Sequence, residues 1–231
     1  MKGFGIRTFL KYRMLYPLQA AGKQKIFCIG RNKTGTTSLA AEFKELGYPV
    51  GHQRTAEKLI DYYIAKDFQP IIDYCRSAQV FQDAPFSWPD TYRYLDTAYP
   101  ESLFILSIRD NAEQWYHSLT KFHSKLFGKG NIPTAQQLRE AKYIYQGFMW
   151  KANRAVFHTP EDDPYNKEML LEHYNTYNRE VLDYFKDRNN LLVLNLQDRD
   201  AYGKFCEFIG IPQQKETFPW KNKTSEHSVR K

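Results

Sequence analysis

Residues 26–46 read IFCIGRNKTGTTSLAAEFKEL, and this stretch decides the fold. A short apolar run, Ile26-Phe27-Cys28-Ile29, ends at Gly30, and a polar turn follows from Arg31 and Asn32 through Lys33 and Thr34 to Gly35. Thr36, Thr37 and Ser38 then open a helical pattern in which Leu39, Phe43 and Leu46 recur, with Gly47 placed to end it. A strand, a tight turn and a helix N-terminus together make an anion site. The first-turn N–H groups have no intrahelical partner, and the helix dipole adds positive potential there. Lys33 brings a mobile ammonium, and the neighbouring hydroxyls bring further donors. The alternative is a hydroxyl-capped turn that binds nothing.

The Walker A loop, G-x-x-x-x-G-K-[ST], is the obvious comparison. Gly30 and Gly35 keep its glycine separation, but Thr36 stands where its lysine belongs and the lysine lies inside the loop at Lys33. That change argues against a nucleotide-dependent kinase, which also needs an acidic strand end for Mg²⁺.

The rest of the chain is consistent with an α/β domain. Its 231 residues allow one sizeable core, and 42% hydrophobic and 16% aromatic content exclude a disordered chain. A net charge of +7 suits an anionic ligand, and equally a basic domain that binds a polyanion without catalysis. Basic residues are spread along the chain with no nucleic-acid motif, so no nucleic-acid partner is expected. Three widely spaced cysteines, Cys28, Cys75 and Cys206, fit a reducing, cytoplasmic setting. Residues 1–24 are basic with scattered apolar positions and no run long enough to span a bilayer; they are expected to pack on the domain.

Further strands are expected at 48–51, 79–83, 102–108 (the strongest, SLFILSI) and 191–196, with helices over 55–66, 68–77, 88–99, 112–126, 134–156, 167–187 and 199–209. Strands alternating with helices predict a single α/β domain over 25–231, a P-loop-like parallel sheet with helices on both faces and a helical insertion at about 128–166. Ligands of such sheets bind at the carboxyl ends of strands. One such end carries Arg109, whose fork suits a phosphate, and Ser118 follows on the next helix. A strand-end ion pair of Arg109 with Asp110 is the plainer reading.

With both sites in view, the chain resembles sulfotransferases that use 3′-phosphoadenosine 5′-phosphosulfate (PAPS), of the bacterial type. Their 5′-phosphosulfate loops read K-[ST]-G-T-[ST], matched by Lys33-Thr34-Gly35-Thr36-Thr37, and they hold the 3′-phosphate with an arginine and a downstream serine. The likeness extends over about residues 25–223, through Tyr99-Pro100, Trp115 and Phe208-Ile209-Gly210-Ile211-Pro212. It implies sulfuryl transfer from PAPS to a hydroxyl or amine of a small-molecule or carbohydrate acceptor, with no metal. Arg31, Asn32, Lys33, Thr34, Gly35, Thr36, Thr37 and Ser38 would hold the donor with Arg109 and Ser118, and Lys33 would stabilise the leaving group. The family's serine usually follows its arginine by eight residues, where this chain has His117; Ser118 lies one further on, so a bulge at the strand–helix junction is needed.

At the remaining strand end stands Asp83-Ala84-Pro85, where family members carry an acid/base. Asp83 is either the base that takes the acceptor's proton or a cap on the following turn. His52 and His117 are fallback bases. Acceptor recognition is expected in the insertion, with Tyr143, Tyr145, Phe148 and Trp150 as candidates, and a basic loop at Trp220-Lys221-Asn222-Lys223-Thr224 could close over the 3′-phosphate.

Overall fold

Alternation along a strand decides which face each side chain serves. In the computed structural model, which describes residues 10–219, β1 (Ile26–Cys28) sends Phe27 to one side of a sheet and Ile26 and Cys28 to the other. It is joined by β2 (Val80–Gln82), β3 (Leu103–Ser107) and β4 (Leu191–Leu194), all parallel, in the order β2-β1-β3-β4. The chain leaves β1 for β2 on one side and returns to β3 on the other. The crevice between the exits of β1 and β3 is therefore the sheet's switch point, where such folds bind ligands.

Helices cover both faces, as the alternating pattern requires. α1 (Tyr16–Ala20) continues a π-helical turn, Lys11–Leu15, and α2 (Thr36–Glu45) follows the loop after β1. Leu39 and Phe43 of α2 are fully buried with Phe205 of the C-terminal helix, spanning Ala201–Phe208, on the face of Ile26, Cys28 and Ile105. The opposite face carries α3 (Gln53–Ala56), α4 (Ile60–Ile64), α5 (Gln69–Tyr74) and α6 (Thr91–Ala98). There Phe27 lies at the centre of an aromatic cluster, with ring centroids 5.8 Å from Phe81 and 5.5 Å from Phe104.

Beyond β3, α7 (Ala112–Phe127) starts at Asn111, whose side chain accepts the Gln114 N–H. α8 (Ala135–Glu140) has a full capping box between Thr134 and Gln137, and α9 (Phe148–Phe157) and α10 (Lys167–Tyr184) complete the wall beside the crevice. Trp115, Leu119, Leu138 and Leu170 form a core of their own there. Near the N-terminus Tyr16 and Ala20 are buried, whereas Leu10, Met14, Leu15 and Leu18 are exposed. Among the described residues no helix is long and apolar enough to cross a membrane.

The structure corrects several expected elements. Residues 48–51 form only a single bridge, Val50 to Val80, because Pro49 has no N–H to give and its carbonyl takes two, from Gln79 and Val80. The helix expected over 134–156 is broken into α8 and α9. Ala141 is extended and Gly147 is left-handed at φ 83°, so residues 141–147 make a tight loop instead. β4, apolar throughout as LLVL, is nonetheless an edge strand, with Val193 exposed and Leu194 buried. The expected basic loop at 220–224 lies outside the described residues.

Candidate active site

The loop after β1 owes its shape to two glycines. Gly30 passes so close to β3 that a Cβ would lie 2.1 Å from the Ser107 hydroxyl, and Gly35 turns the chain at φ 106° with Leu196 packed beneath it. Between them the loop is gripped, residue by residue, by the β3–α7 unit. The Trp115 indole N–H donates to the Asn32 carbonyl at 2.9 Å, Arg109 Nε to the Lys33 carbonyl at 2.8 Å, and the Thr34 and Ser107 hydroxyls meet at 2.7 Å. Thr34 Oγ1 also donates to the Arg31 carbonyl at 2.6 Å.

These bonds fix the shape that the loop presents to the space above it. Arg31, Asn32, Lys33, Gly35, Thr36 and Thr37 line a cavity of about 670 Å³ over the switch point, a size that suits a nucleotide with an acceptor. Thr34 and Ser38 do not reach its wall; the Thr34 side chain is spent on bracing the loop. Arg31 forms the floor: it is 1% exposed, donates to the Ser87 carbonyl, and stacks over Tyr177 and Phe157. The Thr36 and Thr37 N–H groups open α2 with no backbone acceptor among the described residues, which leaves them for an anion.

Lys33 and Asp83 face one another electrostatically across this cavity, each favouring the other's charged form. Both have left-handed backbones, at φ 71° and 59°, a costly conformation for side-chain-bearing residues and one that gathers at functional sites. Burial, then the charge of Arg109, brings Lys33 down to about 8, and its Nζ lies 3.6 Å from the ring centre of Phe122. Burial also raises the Asp83 carboxyl above its ordinary range, against the pull of the Ala84 N–H, Arg31 and Lys33. Its Oδ1 accepts that N–H at 2.9 Å, so the turn-capping contact is present in a residue that also lines the cavity.

Arg109 and Ser118 line the same cavity. The four-residue junction 108–111 sets α7 so that Ser118 and Phe122, one turn apart, face inward, while His117 is exposed with its Nε2 3.8 Å from the Glu113 carboxylate. Arg109 spends only Nε on the loop, and its terminal nitrogens have no hydrogen-bond partner among the described residues. An anion held here would sit between a guanidinium fork and a hydroxyl.

Across the described residues, no cluster of three or more His, Cys, Asp or Glu side chains is placed to hold a metal ion. A family model for the sulfotransferase domain matches residues 25–227, which include the loop, both strand exits and the cavity. The chain belongs to the sulfotransferase-domain family. No curated protein matches it. A sulfotransferase domain moves a sulfuryl group from a donor to an acceptor, and this one does so on a four-stranded parallel sheet flanked by helices.

Sequence reasoning missed part of this sulfotransferase cavity. Glu57, Phe122, His123 and Tyr165 line it, and of the four aromatic candidates in the insertion Tyr143 and Phe148 do so. Tyr145 is exposed, and the Trp150 ring packs against the guanidinium groups of Arg139 and Arg154, 4.1 and 4.7 Å from its centre. The fallback bases His52 and His117 lie outside the wall. His123 is buried against the Tyr165 hydroxyl at 2.7 Å, and burial with Lys33 brings it down to about 3, so it stays neutral. Only Glu57 carried a legible signal: a lone carboxylate between Ala56 and Leu59, both of which turn to the core.

Proposed function

We propose that this sulfotransferase takes its sulfuryl group from PAPS and passes it to a hydroxyl or amine of a small-molecule acceptor, in a cytoplasmic setting consistent with three buried free thiols. The observation that carries this reading is that Arg109 binds the Lys33 loop with one nitrogen and lines the same cavity as Ser118, Thr36 and Thr37. Two anion-suited regions on neighbouring strand exits match a donor with phosphates at two positions. Thr36, Thr37 and the first-turn N–H groups hold the 5′ side, and Arg109 with Ser118 holds the 3′-phosphate.

Transfer breaks the bond between sulfur and the 5′-phosphate oxygen and forms one to the acceptor's oxygen or nitrogen. Charge grows on the departing phosphate oxygen, where Lys33 supplies the balancing ammonium. Asp83, made more basic by its burial, takes the acceptor's proton. Incubation with PAPS and a panel of hydroxylated acceptors tests the reading. Formation of a sulfated product with 3′-phosphoadenosine 5′-phosphate (PAP), slowed about 10²- to 10³-fold by Lys33→Met, supports it; no product from PAPS with any acceptor counts against it.

A further inference from the structure

One wall of the cavity lies beyond the residues that serve the donor. Glu57 starts the 3-10 turn after α3 and is 6% exposed. Its Oε1 accepts the Tyr143 hydroxyl at 3.1 Å, while Oε2 is buried without a hydrogen-bond partner. Beside it the Gln82 amide nitrogen donates to Gln53 Oε1 at 3.1 Å, and the Gln53 nitrogen donates to the Ala84 carbonyl at 2.9 Å. That chain of bonds leaves Gln82 Oε1 buried and unpartnered as well. Glu57, Gln82, Gln53 and Asp83 all line the cavity. A pair of orphaned acceptor oxygens beside the candidate base calls for a ligand that brings donors.

Tyr143 is held rigidly for the same purpose. Arg54 donates to its carbonyl at 3.0 Å and lies over its ring at 4.2 Å, and its hydroxyl steadies Glu57. With Phe148 it adds aromatic surface next to the oxygens. Acceptor oxygens beside aromatic faces suit a sugar-like polyol, whose hydroxyls donate and whose C–H faces pack on rings. An anionic acceptor would meet two carboxyl groups instead.

Resting on the PAPS-dependent reading above, we propose that this wall is the acceptor subsite and takes a polyhydroxylated acceptor. A second hydroxyl donates to Glu57 Oε2 while the reacting hydroxyl faces Asp83. Glu57 is then a specificity-determining residue, and Tyr143 positions it. Burial, followed by the neighbouring Asp83 charge, pushes the Glu57 carboxyl up to about 7, and an incoming hydroxyl relieves that unfavourable burial.

The test uses the whole chain with PAPS as donor, and methyl glucoside and 2-naphthol as polyhydric and monohydric acceptors. Wild type is expected to prefer the glucoside. Glu57→Leu should raise KM for the glucoside at least about 10-fold while PAP affinity and the KM for 2-naphthol stay within about twofold. Tyr143→Phe should raise the glucoside KM less, with kcat unchanged. An unchanged glucoside KM in Glu57→Leu, with PAP still bound, overturns this inference alone. An equal fall in kcat for both acceptors also overturns it, by placing Glu57 in proton transfer. Failure of wild type to bind PAP removes the donor reading and this inference with it.

Discussion

Arg109 Nε donates to the Lys33 carbonyl oxygen at 2.8 Å, joining the exit of β3 to the loop after β1. One side chain thus orders the loop and presents its two remaining nitrogens to the cavity. On the proposed reading, donor binding and placement of the Lys33 ammonium should be coupled through this bond.

Replacing Arg109 separates charge from geometry. Arg109→Lys keeps the positive charge but cannot serve the loop carbonyl and an anion together. PAP affinity should fall about 10- to 100-fold, the loss of a charge-assisted hydrogen bond of about 1.5–3 kcal/mol. kcat should fall too, because the loop loses an anchor. Calorimetry alongside initial rates measures both.

Lys33→Met should behave differently. Stabilisation of a departing oxygen acts in the transition state, so kcat should drop about 10²- to 10³-fold with PAP affinity changed less than about 10-fold. A loss confined to KM would assign Lys33 to ground-state binding instead.

The pH profile of kcat/KM should be bell-shaped. If Lys33 acts as the proposed ammonium, its burial, which brings it down to about 8, should make activity fall as pH rises through about 8. If Asp83 is the proposed base, its raised carboxyl should place the acid limb above the ordinary carboxylate range. In Lys33→Arg any residual activity should lose the alkaline limb, since arginine stays charged. A limb that persists unchanged would show that another group sets it.

Ser118 and His117 give a paired test of the helix register. Ser118→Ala should weaken PAP about 10-fold, and His117→Ala should leave it unchanged, because His117 faces solvent beside Glu113. The reverse order would mean that the helix presents its other face to the 3′-phosphate.

Thr34→Val separates bracing from ligand contact. Its hydroxyl bonds the Arg31 carbonyl and Ser107, so the variant should lose about 1–2 kcal/mol of stability in denaturant unfolding. PAP affinity should hardly change, whereas Thr37→Val should weaken it.

Much of the fold was legible because short-range rules govern it. The run from Ile26, the turn at Gly30 and the helix from Thr36 follow from strand alternation, glycine geometry and first-turn chemistry. The breaks were not. The loop at 141–147 depends on a left-handed Gly147 inside an apolar, helix-compatible run, and residues 48–51 make one bridge because Pro49 cannot donate. In the cavity, Lys33, Arg109 and Asp83 could be read from strand ends, while the bracing contact of the Thr34 hydroxyl was hidden because its partner, Ser107, lies 73 residues away. Glu57 and Tyr143 meet across 86 residues, a pairing that only tertiary packing creates.

The most direct measurement is calorimetric titration of the wild-type chain with PAP and, separately, with AMP, which lacks the 3′-phosphate. The account predicts micromolar binding of PAP without added divalent metal, and AMP at least about 100-fold weaker, since Arg109 and Ser118 then have no phosphate to hold. Equal affinity for the two, or no binding of PAP, would contradict it.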